Sequence, residues 1–161
     1  MKFLDANVFI YAYYKPKHKL SDKERELKEK AKKIIKRVNE GEEVVTSIVH
    51  ISEISNILKR ALPFNELYSL LIGLFSFENI KIVDITKEDY IAAIELIEEI
   101  KLDPNDCLAI VIMEKEGINE IYTFDKGFDR IPMIKRVYSV SYTHLRAHET
   151  RHDLVCRLLL E

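Results

Sequence analysis

The sequence predicts an α/β fold, a three-layer αβα sandwich around a mainly parallel five-stranded sheet. Three features point to it. Short apolar runs alternate with longer stretches at helical spacing, so each strand-to-strand crossover contains a helix. The short runs are apolar along their length, as in strands covered on both faces. At 161 residues the chain suits one domain, and no repeat, low-complexity run or linker divides it.

The elements follow in order. Residues 2–6 are apolar and short, and a second apolar run follows Asn7 through Tyr13, a buried strand that ends at Asp5 and feeds a helix. Residues 21–40 are highly charged, with Leu27, Ala31, Ile34, Ile35 and Val38 at helical spacing and Ser21 and Glu24 placed as a capping box. This is a surface helix with one buried stripe, stopped by Gly41. Residues 44–46 read as a second strand. A helix over about 47–62 is ended by Pro63, and another over about 65–75 leads to a strand at 81–85. Thr86 with Asp89 opens a helix that runs to about Ile100. Asp103 as N-cap and Pro104 at the first helical position start a helix that Gly117 closes. Strands at 120–124 and 134–140 complete the sheet.

Composition bounds the class. The chain is 47% hydrophobic and 32% charged with four Gly and four Pro, an ordered domain rather than a disordered or fibrous one. Its net charge of −2 means that a nucleic-acid partner must be met by a local basic patch, not by the overall field. The densest such patch is Lys15, Lys17, Lys19, Lys23 and Arg25 beside Tyr11, Tyr13 and Tyr14, a phosphate- and base-contacting surface or simply a solvated one. Cys107 and Cys156 form no paired framework, which with the lack of a signal peptide or an 18-residue apolar span leads us to expect a cytoplasmic protein without a membrane segment. Abundant Glu, Lys and Ile without Gln is a bias of thermophile proteins.

Residues 141–161 differ in character from the domain at 1–140. His144, His148, His152 and Cys156 recur every four residues, a spacing compatible with zinc ligation on a helix. The string also resembles vector-derived sequence, and we set it aside from the fold for that reason.

Ligands of parallel sheets sit at the carboxyl ends of the strands. Asp5 and Asp125 fall at two such ends, Glu53 in the second turn of the helix after strand two, and Asp106 in the first turn of the helix before strand four. Each alone has a local use as a cap or a partner of the helix dipole. Independent capping, however, gives no reason for all four to meet on one rim. Two carboxylates about 4 Å apart repel by roughly 4 kcal/mol at a surface-like dielectric, so a converged set calls for a cation. Oxygen-only ligation indicates Mg²⁺ or Mn²⁺, and phosphate chemistry is its usual use. Asn7, Ser47 and Thr123 lie near the acids as supporting hydrogen-bond partners. His50, one turn before Glu53, reads mainly as a structural histidine, and Cys107 as a small apolar residue.

FLDANVFI with Asp5, TSIVHISEI with Glu53, NDCLAIVIMEKEGI with Asp106 and EIYTFDKGFD with Asp125 together resemble the PIN-domain ribonucleases, and are similar to the VapC-type toxins among them. The resemblance spans nearly all of residues 1–140. It implies a parallel five-stranded PIN-like sheet, Mg²⁺- or Mn²⁺-dependent cleavage of RNA, frequent homodimerisation and neutralisation by a partner antitoxin. It also suggests Asp129 as an accessory acid. The long charged helix at 21–40 is roomier than in the shortest toxins, which leaves a housekeeping RNA-processing nuclease open as an alternative. Two rival readings remain. An aspartyl phosphatase of the D-x-D-x-T kind lacks its second acid, because Asn7 stands there, and a non-catalytic RNA-binding or interaction module would use the acids only as caps.

Overall fold

The computed structural model describes residues 1–140, and the tail at 141–161 lies outside the described residues. The strands are β1 (Lys2–Leu4), β2 (Val44–Ser47), β3 (Ile80–Val83), β4 (Glu120–Tyr122) and β5 (Lys135–Val137). The helices are α1 (Ala6–Tyr13), α2 (Asp22–Asn39), α3 (Ile48–Leu58), α4 (Phe64–Ser76), α5 (Lys87–Ile100) and α6 (Pro104–Glu116). The strands form one sheet in the order β3-β2-β1-β4-β5, every neighbouring pair parallel.

Successive side chains on a strand point to opposite faces, and the core divides accordingly. Leu4, Val44 and Tyr122 pack against Phe9, Ile34, Ile54 and Leu74 of α1 to α4. Phe3, Val45 and Ile121 pack against Ala93 of α5 and Leu108 and Ile112 of α6. The sheet is therefore the middle of three layers.

Local signals set the helix ends. Both capping boxes form, Ser21 with Glu24 and Thr86 with Asp89, and Asp103 caps α6 with Pro104 in its first turn. Gly117 ends α6 at φ 69°, a left-handed conformation that costs a residue without Cβ little. The helix expected over 47–62 is shorter than its apolar pattern. α3 stops at Leu58, residues 59–62 close in turns, and Pro63 holds the cap position of α4. The residue before a proline is pushed out of the α region, so the two helices cannot join. The last two strands are likewise shorter than the apolar runs at 120–124 and 134–140. Thr123 still donates its N–H to the Val137 carbonyl, but the chain then leaves the ladder and forms a short 3-10 helix over Lys126–Arg130.

Candidate active site

Strand order locates the site. β2 and β3 lie on one side of β1, and β4 and β5 on the other. The winding reverses between β1 and β4, so the loops leaving those strands part and open a crevice at their carboxyl ends. Asp5 follows β1 directly, and Asp125 follows β4 after Thr123 and Phe124.

Asp5 is only 4% exposed and occupies the N-cap position of α1, yet its side chain makes no capping hydrogen bond. Its Oδ2 instead accepts from Thr123 Oγ1 at 2.7 Å. That hydroxyl in turn accepts from Asn7 Nδ2 at 3.0 Å and from the Asp125 N–H at 3.1 Å, which uses its one donor and both lone pairs. Asn7 Oδ1 accepts from the Phe124 N–H at 3.4 Å. Thr123 and Asn7 thus tie the loop after β1 to the loop after β4. Asp125 Oδ1 accepts from the Gly127 N–H at 2.8 Å, which holds the carboxylate at the head of the 3-10 helix.

Asp106 is on the first turn of α6, its N–H on Asp103 Oδ1 at 2.9 Å and its side chain buried. Glu53 is on the half-exposed side of α3, where its Oε1 accepts from Asn105 Nδ2 at 2.5 Å.

The acids perturb one another. Burial pushes Asp5 up to about 7, the charges of Glu53 and Asp125 add to the rise, and the Thr123 hydrogen bond opposes it. Burial pushes Asp106 up to about 9, aided by the charge of Asp5 and by a carboxyl–carboxyl hydrogen bond with Asp125. Asp5 is the common neighbour, facing Glu53, Asp106 and Asp125 in turn. The four acids are coupled in pairs. Among the described residues no group of three or more His, Cys, Asp or Glu side chains is already gathered closely enough to hold a metal ion. In donor chemistry the cluster suits a hard divalent cation, since every candidate ligand is a carboxylate oxygen. A positive charge among Asp5, Asp106 and their neighbours would also favour the ionised forms that burial resists.

Comparison with known families adds the deciding observation, because the PIN domain model matches residues 2–133. The chain belongs to the PIN domain family. VapC20 of Mycobacterium tuberculosis, described as a toxin that cleaves the sarcin–ricin loop, has a similar structure, with a TM-score of 0.62 at 17% identity over 80% of this chain and 93% of that one. At this identity the likeness is one of fold. No curated protein matches significantly in sequence.

In this PIN domain two of the expected supporting residues are engaged away from the acids. Ser47 caps α3 through the His50 N–H at 3.1 Å, and its hydroxyl lies 2.6 Å from His50 Nδ1. Asp129 forms a two-pronged ion pair with Arg136, at 2.9 and 3.1 Å, which holds its carboxyl below the usual carboxylate range. It pins the 3-10 helix to β5 rather than extending the acid cluster. The basic and aromatic patch divides as well: Tyr13 is buried, whereas Tyr11 is exposed and meets Phe124 edge-on at 5.5 Å. Sequence reasoning passed over Asn105, which follows a cap and a proline and reads as routine helix-start chemistry. Its contact with Glu53 spans 52 residues, and no local pattern carries that.

Proposed function

We propose that this PIN domain is a Mg²⁺- or Mn²⁺-dependent endoribonuclease that hydrolyses RNA phosphodiester bonds as the toxin of a toxin–antitoxin pair. The supporting observation is the mutual coupling of Asp5, Asp106 and Asp125, acids from three separate elements, at the crevice between β1 and β4. Asp5 stands at the N-cap position of α1 without a side-chain capping bond and turns its Oδ2 to Thr123 across the crevice instead.

In this reading Asp5, Asp106 and Asp125 anchor the ion, and Glu53 binds it or orients the attacking water. When bound, the ion would neutralise the phosphoryl oxygens and make a water acidic enough to attack near neutral pH. The chain supplies preorganisation. Thr123 donates to Asp5 and so favours its ionised form, the Gly127 amide fixes one oxygen of Asp125, and the Asp103 cap sets the turn that carries Asp106. The crevice thereby holds carboxylates in place before substrate arrives, which is where a water-poor site gains most over solution.

The partners belong to the same reading. α4 shows solvent a stripe of Phe64, Tyr68, Ile72 and Phe75 at helical spacing, with Phe64 81% exposed, a surface suited to a second copy or to an antitoxin. No helix of the described residues is long and apolar enough to cross a membrane. Mass measurement in solution tests homodimerisation.

The test of the activity is direct. Purified protein with Mg²⁺ or Mn²⁺ is expected to cut RNA, and a chelator to stop it. Asp5→Asn should lower the rate by about a hundredfold or more, since disturbing even the partners of a metal ligand costs about 10–100-fold. Undiminished cleavage by a folded Asp5→Asn variant would remove the assignment.

A further inference from the structure

Glu53 differs from the three aspartates in its setting, because it sits in the second turn of α3, whereas they stand at the cap or in the first turn of a helix; it is also partly open to solvent. A glutamate so placed has rotamer freedom that must be removed before it can hold an ion or a water. Asn105 removes it. Its Nδ2 donates to Glu53 Oε1 at 2.5 Å, which leaves Oε2 as the carboxylate oxygen without that partner.

The Asn105 peptide is itself held. His50 is fully buried, and its Nε2 lies 3.2 Å from the Asn105 carbonyl oxygen. A carbonyl only accepts, so Nε2 carries the proton and donates, and Nδ1 accepts from the Ser47 hydroxyl at 2.6 Å. The ring is further fixed by an edge contact with Phe3 of β1 at 5.0 Å. Both ring nitrogens are therefore engaged within the fold. The chain of contacts runs from the corner of β2 and α3, through Ser47 and His50, to the first turn of α6, and from there through the Asn105 side chain back to Glu53.

We propose that Asn105 is the positioning residue for Glu53, and that Ser47 and His50 fix Asn105 in turn. This rests on the nuclease reading above. The chemistry of the tether supports it. A Lys or Arg at this place would hold Glu53 equally well but would cancel its charge and compete with a divalent cation. A neutral amide orients the carboxylate and leaves its full negative charge for the ion. Asn105 also directly precedes Asp106, so one turn of α6 carries an acid of the cluster and the group that sets another.

Asn105→Ala tests the proposal, since it deletes the amide and keeps the backbone carbonyl that His50 uses. Mn²⁺ affinity read by electron paramagnetic resonance is expected to fall about tenfold, the lower end for a lost partner of a metal ligand. The turnover number for RNA should fall with KM unchanged, and the melting temperature should hold. In a Glu53→Ala background the same substitution should leave Mn²⁺ affinity unchanged within about twofold, because the two side chains form one unit. Equal losses in both backgrounds, or none in either, would overturn the role of Asn105. Wild-type protein that ignores Mn²⁺ in this assay would instead overturn the metal reading itself, and that result is seen before any variant is compared.

Discussion

Thr123 shows how much a single hydroxyl does in this PIN domain. It is fully buried, donates to Asp5, and accepts from Asn7 and from the Asp125 amide. Thr123→Val keeps the shape and removes all three bonds. The cost to stability is expected to be about 1–3 kcal/mol, because buried donors lose their partner. The sharper consequence is on protonation. The Thr123 bond is the largest influence that lowers the Asp5 pKa against burial, so its loss raises that pKa further from about 7. If Asp5 must be ionised to act, the rising limb of the pH–rate profile should move to higher pH in this variant, and an unmoved limb would argue that Thr123 matters only for folding. His50→Phe is a control at the same scale. It retains the ring contact with Phe3 but leaves the Ser47 hydroxyl and the Asn105 carbonyl without a ring partner, a loss of about 1–3 kcal/mol by denaturant titration.

At the scale of elements, the segment after β4 depends on one close approach. A Cβ on Gly127 would lie 2.5 Å from Leu102 Cδ2 and 3.1 Å from Asp125 Oδ1. Leu102 is buried at the entry to α6, so it gives way only by disturbing its neighbours. Gly127→Ala is expected to cost about 1–3 kcal/mol as an overpacked contact and to shift Asp125 by moving the helix it caps. Cleavage should fall more than thermal stability does. A melting temperature that falls while specific activity holds would show that Asp125 keeps its place without that glycine. The left-handed Lys101 at the end of α5, with φ 55°, has a related part. Its carbonyl accepts from Arg130 Nη2 at 3.2 Å, which joins the loop before α6 to the 3-10 helix after β4.

Across the whole molecule the acid cluster sets the pH dependence of folding. An acid whose folded pKa is raised binds more protons folded than unfolded between the two values, so stability falls as pH rises through that window. For Asp5 the window runs from the ordinary aspartate value of 3.8 to about 7, and for Asp106 from 3.8 to about 9. In chelator, the stability of the protein is therefore expected to decline from about pH 4 towards pH 9, read as a falling melting temperature. Asp5→Asn should flatten the lower part of that decline. Mg²⁺ or Mn²⁺ should offset it, with a rise in melting temperature that grows with pH, since ligands must be deprotonated and a ligand of the native state stabilises by mass action. A metal-independent melting temperature across this range would count against the cluster as an ion site.

The sequence by itself determined the elements and their packing faces. Apolar periodicity, capping boxes at Ser21 and Thr86, Pro104 and Gly117 are local signals, and the physics that reads them acts over one or two turns. It also placed Asp5, Asp106 and Asp125 at element ends, where a parallel sheet gathers side chains, and Glu53 in the second turn of the helix after strand two. What only the tertiary structure decided was which polar groups meet. Asn105 turned to Glu53 across elements distant in the chain, Ser47 to His50 through a rotamer set in the buried interior, and Asp129 to Arg136 because β5 folds back beside the 3-10 helix. Spacing in sequence predicts a face of a helix or a strand. It does not predict a hydrogen bond across 52 residues, which exists only once the fold has brought Glu53 of α3 within reach of the first turn of α6.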